Sequence, residues 1–232
     1  MKNEAQHVVE RYKRRMRLNK LDLYNPINSA VLYAEQEKER KIARLLRDIC
    51  LEPLQTKKVL EIGCGPGGNL LNLLRLGFEP ENLTGNELLH ERYLEARRKL
   101  PKAVNLIHGD ANKIDLPKNH YDIVYQSTVF TSLLDATFQK ELAERMWGWV
   151  KPGGGVLWYD FTFDNPKNPD VRGVKDKRIQ ELFPEGKVII KRVTLAPPIS
   201  RRVTKIHPCL YHVFNILPLL RTHVLCWIGK ST

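Results

Sequence analysis

No apolar run in this sequence reaches the roughly 18 residues that a membrane-spanning helix needs. The first twenty residues, MKNEAQHVVERYKRRMRLNK, are charged throughout and contain no apolar stretch of the kind a secretory signal carries, so a cytoplasmic protein is expected. Cysteine is scarce. Cys50, Cys64, Cys209 and Cys226 form no C-x-x-C pair and no Cys/His ligand spacing, which predicts free thiols in a reducing compartment and no metal site. Internal repeats and low-complexity tracts are missing too. Acidic residues thin out toward the C-terminus: from Arg172 onward, twelve Lys and Arg face three Asp and Glu.

That deficit accounts for most of the formal charge of +12. A field of this sign attracts an anionic partner (nucleotide-sugar, phospholipid surface or nucleic acid) without choosing among them, and a solvated basic surface gives the same count. The 232 residues, 42% hydrophobic and 28% charged, suit one globular α/β domain with decorations.

Residues Glu4 to Arg17 have helical composition. LDLYNPIN reads as a hinge, and Ser29 as the N-cap of a helix running to about Cys50. Strand-like KKVLEIG then leads into helical GNLLNLLRLG, stopped at Gly77. NLTGNEL, AVNLIHGD, YDIVYQS and GGVLWYDF read as further strands, with helices at His90–Leu100 and Phe138–Val150. VIIKRVTLAPP and RTHVLCWIGK read as two last strands with an antiparallel, hairpin-like ending. Alternation of this kind predicts β-α-β units and a parallel sheet covered on both faces.

The chemistry gathers at strand ends, where open α/β sheets bind ligands. Gly63, Gly65 and Gly68 satisfy G-x-G-x-x-G, so a nicotinamide enzyme is one reading. Glu61 argues against it, because a carboxylate two residues before the first glycine is misplaced for pyrophosphate and well placed for a cation. Glu87, twenty residues after Gly67, ends the second strand where an acid can accept hydrogen bonds from both ribose hydroxyls. Asp110 follows the third strand, where it can accept from an adenine amine while Ala111 donates its backbone N–H. A cationic adenosine without phosphate fits the three acids best. Cys64, with no local base or cation, reads as a loop filler rather than a nucleophile.

VLEIGCGPGG, LTGNELL, IHGDA, YDIVYQS and WVKPGGGVLWYDF, in this order, resemble the class I S-adenosylmethionine-dependent methyltransferases over about residues 57–161. The resemblance implies a Rossmann-like seven-stranded sheet, mostly parallel with an antiparallel terminal strand. It implies S-adenosylmethionine as cofactor, with Glu61, Gly63, Cys64, Gly65, Gly67 and Asn69 near the methionyl part. Glu87 and Leu88 would lie at the ribose, Asp110 and Ala111 at the adenine, and Gln126 at the methyl-donor end. Residues 1–54 would be a helical extension or lid, with Tyr12, Tyr24 or Tyr33 reaching the pocket. Residues 55–232 would be the catalytic domain, with 162–220 adding acceptor-side insertions. More narrowly, YDFTFDNPKNPDVRG, RVTLAPPISRR and LPLLRTHVLCWI look similar to bacterial methyltransferases of cell-surface polysaccharide and secondary-metabolite biosynthesis.

For the acceptor, a hydroxyl is helped by a base. Gln126, Ser127, Thr128, Tyr159, Asp160, Asp164 and a histidine of the C-terminal third are candidates, with Asp160 preferred and capping of its own loop as the rival role. Enzymes that methylate base amines carry an Asn/Asp-Pro-Pro-aromatic clamp after the fourth strand, and here that position reads QSTVF. The expected acceptor is therefore a small molecule or glycan, anionic or lipid-linked, methylated at oxygen. An RNA methyltransferase and a non-catalytic cofactor-binding partner are the alternatives. IHPCLYHVFNILPLL, with His207, His212 and Asn215, reads as a lid, as an interfacial helix touching a membrane beside Arg201, Arg202 and Arg221, or as a helix packed on the sheet.

Overall fold

A computed structural model describes residues 4–17, 25–166 and 168–232. Its strands are β1 (Val59–Ile62), β2 (Leu83–Glu87), β3 (Asn105–His108), β4 (Tyr121–Ser127), β5 (Val150–Phe161), β6 (Lys187–Leu195) and β7 (Arg221–Gly229). The helices are α1 (Glu4–Arg17), α2 (Ser29–Asp48), α3 (Gly68–Leu76), α4 (His90–Lys99), α5 (Ala136–Trp149), α6 (Asp176–Leu182), α7 (Pro197–Ile206) and α8 (Leu210–Asn215). The strands make one sheet in the order β3-β2-β1-β4-β5-β7-β6. Pairing is parallel throughout except at β7, which runs against both β5 and β6. This is the seven-stranded, mostly parallel architecture that the sequence leads one to expect.

Both faces of the sheet are covered, and the side chains divide between them with period two. Leu60, Ile62, Val124, Val156 and Trp158 pack with Leu142, Ala143 and Met146 of α5 and Ile179 of α6. Val59, Ile123, Tyr125, Leu157 and Tyr159 pack on the other side with Leu45 of α2 and Leu70 and Leu73 of α3. The same parity assigns Glu61 to the α2/α3 face and Asp160 to the α5/α6 face. Because β1 pairs with β2 on one edge and β4 on the other, strand order reverses there, and a crevice opens at the carboxyl ends of β1 and β4.

Several boundaries differ from the sequence reading. The N-cap of α2 is Asn28, whose Oδ1 accepts from Ala30 N at 3.0 Å, so Ser29 is already helical. α5 begins two residues before Phe138, where Asp135 Oδ1 accepts from Phe138 N at 2.8 Å. The Ala196-Pro-Pro segment read as strand is a helix start: Pro197 and Pro198 occupy the first turn of α7, where their missing N–H groups would be unpaired anyway. β6 and β7 pair antiparallel, yet α7 and α8 fill the link between them, so the expected short hairpin connection is absent.

Candidate active site

The chain turns sharply from β1 into α3 through Gly63 (φ +65°), Gly65 (+56°) and Gly67 (+87°), a region that side chains rarely adopt. A Cβ on Gly63 would lie 2.6 Å from Val129 Cγ2, and one on Gly67 would lie 2.8 Å from Leu100 Cδ1. The loop is held from β2: Cys64 N donates to Asn86 O at 2.9 Å, and Gly65 N donates to Glu87 Oε2 at 2.7 Å. Glu87 also accepts from Leu89 N at 2.7 Å through Oε1. Each oxygen keeps a lone pair beyond its backbone partner.

Asp110 lies at the next strand end. Its Oδ1 accepts from Asn112 N at 2.9 Å, while its buried Oδ2 has no hydrogen-bond partner among the described residues. Asn86 ties the two ends together by donating to Ile107 O and Gly109 O at 3.2 and 3.0 Å. Gly63, Glu87, Leu88, Asp110 and Ala111 thus come together around one cavity of about 120 Å³. Ser127 at the end of β4 and Thr128 and Val129 after it close it, and Ser132, Leu133, Phe138 and Leu142 add the far wall.

Its roof is α1, through Ala5, Val8 and Tyr12. Arg11 donates to Glu4 Oε1 and to Ser132 O, and Glu4 Oε1 accepts from Leu134 N at 2.7 Å, so this helix is bonded down to the loop after β4. The Tyr12 ring has Arg92 and Arg15 stacked on it, each 4.7 Å from its centroid.

Against known proteins, residues 59–154 match the family model described as "Methyltransferase domain". Residues 59–154 are thus similar to a methyltransferase domain. A trans-aconitate 2-methyltransferase from Afipia carboxidovorans is 28% identical over 79% of this chain and 66% of its own length. A fatty-acid O-methyltransferase from Mycolicibacterium smegmatis is 34% identical over 46% of this chain and 38% of its own length. The chain spans 22% and 32% of two further curated relatives. It therefore matches less than two thirds of each of these proteins. In fold it superposes on 1,6-didemethyltoxoflavin-N1-methyltransferase from Burkholderia thailandensis, solved with S-adenosylhomocysteine, with a TM-score of 0.60 at 14% identity, covering 95% of this chain and 89% of that one.

The other sequence-predicted residues lie behind the cavity wall. Glu61 is fully buried and accepts from Asn69 Nδ2 at 2.6 Å, while its Oε2 has no partner among the described residues. Loss of solvent pushes its carboxyl up to about 8, opposed by the Asn69 bond and by the nearby Lys38 charge. Cys64 is buried beneath the loop, and burial with the charges of Glu61 and Glu87 drives its thiol far above the ordinary range, so it has no nucleophilic thiolate. Gly65, Gly67, Asn69 and Gln126 shape or brace the loops without lining the cavity.

Asp160 is fully buried, accepting from Thr131 N at 3.2 Å and Phe161 N at 3.1 Å. Burial raises it to about 7. Gln126 accepts from Val129 N at 3.0 Å, so both side chains hold the turn after β4 rather than open into the cavity. In that turn Thr128 has φ +58°, a strained conformation for a β-branched residue at a cavity wall. Asp164 Oδ1 accepts from Gly173 N, capping its own loop. Tyr33 packs on Tyr211 and His212 away from the cavity, and Tyr24 lies outside the described residues. His108 packs against His90 and Tyr93 at the surface. No group of three or more His, Cys, Asp or Glu that could hold a metal occurs among the described residues. Asn86, Arg92, Val129 and Ser132 were missed. A polar Asn inside a buried strand was the one local signal for Asn86.

Proposed function

We propose that this chain is an S-adenosylmethionine-dependent methyltransferase that acts at oxygen on a small molecule or glycan. The observation that carries the reading is the acid pair on one cavity. Glu87 has spare lone pairs for two hydroxyls, and Asp110 presents an unpartnered Oδ2 beside the Ala111 backbone, on a loop where a Cβ at Gly63 would collide with Val129. A ribose, an adenine amine and a close-lying ligand chain match those three features. Glu61, whose Oε2 is unpartnered behind the glycine loop and whose carboxyl burial raises to about 8, would gain anionic character when a cationic methionyl end binds nearby. When bound, the sulfonium supplies an electrophilic methyl group with its own leaving group.

The protein's own contribution is alignment and exclusion of water. α1 covers the cavity, which supports reading residues 1–54 as a lid over the catalytic domain of 55–232. Asp170, within 162–220, accepts from Arg14 and Arg15 of that lid. Apolar Ala5, Val8, Leu133, Phe138 and Leu142 form an acceptor wall. Proximity and orientation of this kind are worth on the order of 7–11 kcal/mol in well-aligned reactions. Among the described residues the lining holds no histidine, and its carboxylates are Glu87 and Asp110 at the cofactor end. An acceptor already lacking its proton, such as a carboxylate, suits that lining best. The names of two relatives, for a fatty acid and for trans-aconitate, agree with an acidic oxygen acceptor. Asp160 and Gln126 then serve as positioning residues that set the turn 127–131.

The four free cysteines support a cytoplasmic setting, and the segments around the fifth and last strands support a place in cell-surface polysaccharide or secondary-metabolite biosynthesis. The +12 charge favours RNA as a second acceptor class. Incubation with methyl-labelled S-adenosylmethionine and fractionated cell extract tests the reading. Label in the acidic small-molecule or glycan fraction is expected. Label confined to RNA, with salt-sensitive RNA affinity, replaces it, and S-adenosylhomocysteine binding without transfer to any fraction leaves a cofactor-binding partner protein.

A further inference from the structure

Half of the twelve large apolar side chains exposed among the described residues fall within fourteen consecutive positions: Ile206, Val213, Phe214, Ile216, Leu217 and Leu219, from 37% to 79% exposed. An apolar density like this is uncommon on a surface that meets only water. The segment that presents it is also firmly built. Tyr211 donates to Glu37 Oε2 at 2.7 Å, and its ring stacks on Tyr33 at 5.7 Å, anchoring α8 to α2. Arg221 donates to Asn215 O at 2.9 and 2.6 Å and fixes the turn that follows. The apolar side chains are thus held outward on an ordered backbone.

Charge decides what such a surface fits. After Glu185 the sequence contains eight Lys and Arg and no Asp or Glu. Arg202 and Lys205 are exposed on α7, directly before Ile206. We propose that residues 197–219 form a peripheral docking surface for an anionic lipid membrane. The apolar side chains enter the headgroup boundary, and Arg202 and Lys205 face lipid phosphates. A nucleic acid would use the cations and leave the apolar side chains in water. A twofold pairing with a second copy would bring the two basic clusters toward each other without compensating acids. Neither alternative uses both halves of the surface. The proposal stands on this surface alone and is independent of the methyl acceptor.

The test is co-sedimentation of the full chain with vesicles of phosphatidylcholine mixed with phosphatidylglycerol, compared with phosphatidylcholine alone. Binding to the mixed vesicles that weakens with added salt is expected. Ile216→Ser/Leu219→Ser should weaken it at least about tenfold, and Arg202→Ala/Lys205→Ala by roughly ten- to thirtyfold, given the contribution of each cation near an anionic surface. These positions are exposed and outside the cavity, so the thermal midpoint and S-adenosylhomocysteine titration of both variants should match those of the parent. Failure to bind mixed vesicles, or binding that Ile216→Ser/Leu219→Ser leaves intact, overturns the proposal. So does a dimer that dissociates in Ile216→Ser/Leu219→Ser without any vesicle binding, which would assign the surface to a second copy. RNA binding indifferent to the apolar variant, with no vesicle binding, overturns it in favour of nucleic acid.

Discussion

Replacing Glu87 separates its bracing of two backbone N–H groups from the ribose contact proposed for it. Glu87 is 5% exposed, and its two oxygens accept from Gly65 N and Leu89 N, both at 2.7 Å. Hydrogen bonds to a charged acceptor contribute about 1.5–3 kcal/mol each. Glu87→Gln keeps one acceptor oxygen and turns an amide N–H₂ toward the other backbone N–H, so one bond is lost and one donor stranded. A ligand-free destabilisation of about 1.5–3 kcal/mol is expected from urea unfolding. Glu87→Ala loses both bonds, and water entering the space restores part of the difference. Under the proposed reading the remaining lone pairs meet ribose hydroxyls. S-adenosylhomocysteine affinity should therefore fall by about 10- to 150-fold in Glu87→Gln, and further in Glu87→Ala. Wild-type unfolding of Glu87→Gln would refute the brace. Unchanged affinity in both variants would refute the ribose assignment while leaving the brace in place.

Three other perturbations probe the same region. Gly63→Ala combines a positive φ with a 2.6 Å contact to Val129 Cγ2, and should lower stability by about 1–3 kcal/mol. Adding Val129→Ala should recover the steric part alone, and full recovery of the thermal midpoint would contradict the backbone part. Thr128→Gly relieves a left-handed β-branched residue, whose strain of about 1–3 kcal/mol exceeds the roughly 0.5–1 kcal/mol of added unfolded-state freedom. It should raise the thermal midpoint, and a lowered midpoint would show that Thr128 is unstrained. Asp160, at about 7, and Glu61, at about 8, retain protons in the native state that the unfolded chain releases above about pH 4. The unfolded state then binds fewer protons, so stability falls as pH rises from about 4 toward 7–8 and levels beyond. Urea unfolding of Asp160→Asn across that window should show a shallower fall than wild type, and parallel curves would contradict a buried, proton-retaining Asp160.

Local rules made much of this protein legible. Short, largely apolar segments such as VLEI and YDIVYQS announced buried strands, and acids at the ends of neighbouring strands announced Glu87 and Asp110. Boundaries were less legible where two neighbouring residues can cap equally well, as with Asn28 and Ser29. Pro197-Pro198 was ambiguous because proline both ends strands and opens helices. The positions of Asp160 and Gln126 were harder, since strand parity points them toward α5 and into the turn after β4. Sequence placed them at the right strand ends without saying which way they turn. Arg92 comes from contacts between segments far apart in the chain, for which no local pattern exists, and the roof made by α1 was an expectation of the family resemblance rather than of any local pattern.

Calorimetric titration of the purified chain with S-adenosylhomocysteine and, separately, with NADH addresses the cavity most directly. A pocket with Glu87 and Asp110 on its wall and Glu61 behind its glycine loop should bind S-adenosylhomocysteine and give no heat with NADH, whose pyrophosphate would face those acids. Binding of NADH alone would contradict the account.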